Sequence, residues 1–148
     1  MMPKPPAPRV SVDAYMAKII RNVVRDGSWS ELLPIAADGV LLSGSRRMEH
    51  AHHEVRLIRD PYTGSWFVGR CTGPCGMHRS CWHRVQAAVV CWQHDHPDWN
   101  IRALCNEQGE PSTRLIWTLI GGHLTMPSRL RRRFELEYAK GPEVRMDA

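Results

Sequence analysis

From Ser11 onward the apolar residues Val12, Tyr15, Met16, Ile19, Ile20, Val23 and Val24 recur at the three- and four-residue steps of one helical face. This predicts a helix with Ser11 as N-cap, Asp13 in the electropositive first turn and Gly27 as its stop. Pro3, Pro5, Pro6 and Pro8 lack backbone donors and favour extended chain, so residues 1–10 are expected to form a flexible arm. Ser28 to Leu33 reads as a short helical start ended by Pro34, and Ala36 to Leu42 leads into a Gly44-containing loop.

Two β-prone runs, 54–59 and 65–70, flank Asp60-Pro61-Tyr62-Thr63-Gly64 and predict a β-hairpin that delivers the chain to Cys71. After a Gly/Pro-rich knuckle, Ser80 is placed to cap a helix with Trp82, Val85, Ala88, Val89 and Trp92 on its apolar face, ending before Pro97. A second hairpin is expected from 100–105 and 113–120, broken at Gly121-Gly122, and Pro127-Ser128 opens a last helix running through Tyr138. The order of elements gives an α+β fold: a domain over 11–141 with an N-terminal helix, β-hairpins and a hairpin-knuckle-helix unit, followed by a flexible tail over 142–148.

A chain of 148 residues with 43% hydrophobic and 24% charged residues fits one globular domain. No apolar run approaches a membrane span and the N-terminus lacks the apolar stretch of a signal peptide, so a cytoplasmic protein is expected. In that reducing setting five cysteines read as metal ligands or free thiols rather than disulfides. The net charge of +5 is concentrated in Arg129, Arg131, Arg132 and Arg133, which points to a polyanionic partner.

Four of the five cysteines and four of the eight histidines lie between Cys71 and His96. Zinc takes four thiolate or imidazole donors in a tetrahedron, and a Gly/Pro turn between two cysteines lets both sulfurs face one ion. Cys71 and Cys75 enclose such a turn, while Cys91 and His94, three apart on the expected helix, share a face. The expected ligand set is therefore Cys71, Cys75, Cys91 and His94, with His78, Cys81, His83 and His96 as substitutes.

The run Trp66 to Cys71, the second cysteine at Cys75, and the Ala87-Ala88 helix reaching His94 resemble the small zinc-ribbon-like proteins of actinobacteria and their phages. The resemblance covers about residues 64–97 and implies a structural zinc; the three-residue gap after Cys71 and the additional Cys81 depart from that family's pattern. A second resemblance, to WhiB-like iron–sulfur regulators, lies in Cys75-x5-Cys81, the segment Ile116 to Gly122 and the arginines from Arg129 to Arg133. It implies a cluster held by four cysteines, with Cys91 replacing an upstream one, and a basic segment that contacts DNA.

These observations lead to one expectation: a zinc module, regulatory in role, whose Arg129, Arg131, Arg132 and Arg133, joined by Arg46 and Arg47, bind DNA or RNA phosphate. The alternative is a phage-type module that modulates a host protein through an exposed tryptophan among Trp29, Trp66, Trp92 and Trp99. A metal-dependent hydrolase on His94-Asp95-His96 lacks any accompanying H-E-x-x-H spacing, so no catalytic residue is assigned.

Overall fold

The computed structural model describes residues 7–43, 53–72 and 81–133. Helix α1 spans Ala7–Asp26 and ends at Gly27, whose φ of 76° supplies the left-handed stop that the sequence predicts. It starts four residues before Ser11, so the expected arm over 1–10 is helical from Ala7. Pro8 is tolerated because the first N–H groups of a helix have no intrahelical partner. Met16, Ile20, Val23 and Val24 are buried, while Tyr15, at the edge of the stripe, is 56% exposed.

A 3-10 turn over Ser28–Leu32 follows, then three antiparallel strands in the order β1 (Val40–Ser43), β2 (His53–Arg59) and β3 (Trp66–Cys71). Strands β2 and β3 are the expected hairpin, with Asp60 and Ser65 closing its turn through Asp60 N to Ser65 O at 2.8 Å. Strand β1 lies where a lead-in to a loop was expected; it pairs Val40 with Arg56 and Leu41 with Val55. Gly39, with φ of 69°, turns the chain into it under the Trp66 ring.

Helix α2 covers Trp82–Asp95, with Cys81 at the N-cap position and His96 closing it before Pro97. Ser80, the expected cap, lies outside the described residues. Every residue from His83 to Trp92 is buried. The helix is not half-solvated, as its apolar stripe suggested, because the sheet packs on one side and α1, the 3-10 turn and α3 pack on the others. It forms the middle layer of a small mixed α+β domain.

The second hairpin is not formed. Residues Ile101–Leu104 make a 3-10 turn and Thr113–Leu119 make helix α3, with the Ser112 hydroxyl accepting from Leu115 N at 3.1 Å. The isolated bridge between Cys105 and Pro111 is all that pairs. Leu115, Ile116, Leu119 and Ile120 are all buried, a helical spacing that the β-branched residues of this run obscured. Nor does Gly121-Gly122 end the element: α3 continues as a wide π-turn over Ile120–Leu124. Pro127 then opens a helix over 128–133, its carbonyl accepting from Leu130 and Arg131 N–H. With Met126, Leu130 covers Ile58 and Phe67 on the outer sheet face.

Candidate metal centre

Cys71 closes β3, Cys81 sits at the entrance of α2, and His83 is in its first turn. Their ligand atoms all lie within 4.8 Å of one another, and all three residues are buried. Cys81 Sγ stands 3.9 Å from His83 Nδ1. Donors around a tetrahedral zinc are roughly 3.3–3.8 Å apart, given metal–ligand bonds of about 2.0–2.3 Å, so the three atoms need only a small inward movement. They form a buried Cys/Cys/His group able to hold a metal ion.

Two features fix this corner. Buried Arg84, the residue after His83, donates from Nε to Gly69 O at 2.9 Å and from Nη2 to Val68 O at 3.1 Å and Leu124 O at 3.4 Å. These bonds lock the start of α2 onto the end of β3, which brings Cys81 and His83 to Cys71. The helix also directs the positive end of its dipole at the group and has no acidic residue in its first turn to answer it. Cys81 and Cys71 are the groups there that could answer it with negative charge if a metal ion held them as thiolates.

The structure assembles the expected candidates differently from the sequence-based set. Cys71 is in the group, together with the substitutes Cys81 and His83. Cys91 and His94 are apart from it. At 1.5 Å per residue, Cys91 is about 15 Å further along α2 than Cys81, and His94 about 20 Å. Cys91 is wholly buried in the apolar core, and that burial, then the nearby Asp95 charge, raises its thiol pKa strongly; it is a core residue. Cys75 and His78 fall outside the described residues.

At the other end of α2, His94 Nδ1 lies 3.3 Å from Asp95 Oδ1, and Asp95 Oδ2 accepts from the Ser65 hydroxyl at 3.1 Å. His96 turns its Nδ1 to Trp92 O at 2.9 Å and stacks on the Trp92 ring, away from the His94–Asp95 pair. His123, which no motif in the sequence marks, is buried with Nδ1 2.9 Å from Trp66 O and Nε2 3.9 Å from Asp95 Oδ2. Burial lowers its pKa against the opposing pull of Trp66 O and Asp95.

The expected nucleic-acid arginines also divide. Arg129 forms a two-pronged ion pair with Asp60, at 3.0 and 2.8 Å, and lies 4.8 Å from the centre of the Tyr62 ring. It is thus a clamp between the hairpin turn and the helix over 128–133. Arg131, Arg132 and Arg133 are exposed. Of the tryptophans expected as interface anchors, Trp29, Trp66 and Trp92 are buried; Trp99 is exposed, as is Trp117. No helix among the described residues is long and apolar enough to cross a membrane.

Comparison with known proteins returns no matching family model, no matching curated protein and no matching solved structure.

Proposed function

We propose that the chain is a zinc-stabilised module that binds the backbone of a nucleic acid. The observation that carries it is the convergence of Cys71, Cys81 and His83 at a corner where the hydrogen bonds of Arg84 fasten α2 to β3. Two thiolates and an imidazole suit zinc, and a closed four-ligand site is the structural kind. For the fourth donor the sequence offers Cys75 or His78, which lie between Cys71 and Cys81 and outside the described residues. Metal at this corner would stabilise the fold, because an unfolded chain has no preformed site. Arg131, Arg132 and Arg133, projecting from the helix over 128–133, supply the phosphate-facing charge.

Elemental analysis of untagged protein, paired with titration of a labelled oligonucleotide, tests this reading. About one zinc per chain and salt-sensitive binding are expected. A brown iron–sulfur chromophore would replace zinc by the cluster. Zinc without nucleic-acid binding would leave the protein-partner reading, which the exposed Trp99 and Trp117 favour.

A further inference from the structure

Strand β2 outruns its neighbour. Strand β1 begins at Val40 opposite Arg56, and Gly39 adds one more bond by accepting from Leu57 N at 2.6 Å, but Ala37 and Asp38 then turn away. Beside Ile58 and Arg59 this leaves a cleft of about 260 Å³ at the sheet edge. Arg56 and Arg59 line it from β2 and Arg133 from the helix over 128–133. Among the described lining residues the one carboxylate, Asp38, already accepts from Val40 N at 3.1 Å. Neither Arg56 nor Arg59 forms an ion pair among the described residues.

The geometry points to this cleft as a phosphodiester-binding groove in which Arg56, Arg59 and Arg133 seat consecutive phosphates of a nucleic-acid strand. The inference rests on the nucleic-acid reading above and adds two residues from the sheet to it. Guanidinium groups present planar donor forks suited to phosphate oxygens. Three residues apart on β2, Arg56 and Arg59 project from opposite faces of the strand with α-carbons about 10 Å apart, so across the open edge they would meet separate phosphates rather than one free anion. Arg131 and Arg132, beside Arg133 on the same helix and exposed, extend the positive field past the groove.

Fluorescence anisotropy with a labelled single-stranded oligonucleotide of mixed sequence, at salt concentrations from about 50 to 200 mM, tests the groove. The Arg56→Ser/Arg59→Ser variant is compared with wild type and with Lys18→Ser/Arg102→Ser, which removes two exposed charges elsewhere. Unchanged circular dichroism and melting temperature confirm that each variant folds. The groove variant is expected to lose about 1.4 from the magnitude of the log–log salt slope, about 0.7 for each phosphate contact, which amounts to roughly fifty-fold weaker binding at about 50 mM salt. The control should retain the wild-type slope. Wild-type binding that the groove variant and the control weaken equally overturns the groove and leaves the nucleic-acid reading standing. Absence of wild-type binding at the lowest salt overturns both. Competition by polyglutamate as effective as that by unlabelled oligonucleotide would make the cleft an acidic-peptide site and overturn the inference.

Discussion

Arg84 Nε donates to the carbonyl of Gly69 at 2.9 Å, so a guanidinium only 2% exposed ties the first turn of α2 to the end of β3. Hydrogen bonds from a charged donor are worth about 1.5–3 kcal/mol each, and an unsatisfied buried carbonyl adds a further penalty. Arg84→Met is therefore expected to destabilise the fold by about 3 kcal/mol or more. It should also lower zinc retention, because the Cys81 and His83 end of the site loses its anchor. Denaturant unfolding and metal analysis of the same sample check both effects.

The ligand assignment separates by mutation. Cys71→Ser, Cys81→Ser and His83→Ala should each lose zinc and melting temperature together. His94→Ala and Cys105→Ser should keep both. Cys91→Ser should keep zinc but cost about 1–3 kcal/mol, since it places a hydroxyl in the apolar core. Loss of zinc in Cys91→Ser with Cys81→Ser unaffected would restore the set expected from sequence.

Much of this arrangement is legible in the amino-acid order. The α1 stripe, the left-handed Gly27 stop, the hairpin around 60–64 and the helix ending before Pro97 all follow from local rules, and all are present. Elsewhere local signals conflict or fall short. Thr113 to Ile120 contains strand-prone residues, yet Ser112 caps a helix and Leu115 and Leu119 are buried on one face of it. At the metal corner, the close pair Cys71 and Cys75 predicts a knuckle, and Cys91 with His94 completes the expected set by shared helix phase. Helix rise decides otherwise, because donors at the entrance of α2 cannot share an ion with donors near its exit. The available signal was Cys81-x-His83 at the helix start, where thiolates are stabilised. Strand β1 and the buried His123 carry no local mark, since tertiary neighbours alone create them.

Acid should expose the Asp60–Arg129 clamp. The Arg129 guanidinium, aided by Tyr62 N–H, holds the Asp60 carboxyl down at about 2. Its folded pKa is below the unfolded value, so its contribution is complete above about pH 4 and is lost as pH falls toward 2. In Arg129→Ser the Asp60 pKa should rise toward the ordinary carboxylate range. NMR titration of the Asp60 carboxyl in both proteins measures the difference.

His123 acts from the other direction. Burial disfavours its imidazolium, so the unfolded chain takes up a proton first and stability falls as pH drops below about 6.5. The slope contributed by this one group is at most about 1.4 kcal/mol per pH unit. Asp95, His94 and His96 are the charged and titratable groups acting on it. In His123→Gln, urea unfolding at pH 5 and pH 7 should differ less than in wild type.

Gly39→Ala should cost about 2 kcal/mol, combining a left-handed backbone with a crowded site. A β-carbon there would lie 2.7 Å from Leu57 O and 2.8 Å from the Trp66 ring. Thermal unfolding measures it directly.

The enclosure of α2 from His83 to Trp92 also sets a clock. With every residue from His83 to Trp92 buried between the sheet and the outer helices, no partial opening of one layer frees that backbone. Among the described residues its amides should be the last to trade protons for deuterium, at the rate of whole-molecule unfolding, while Trp117 and its neighbours on α3 exchange through local fraying. Deuterium retained in this decapeptide then reports how long the entire molecule stays closed.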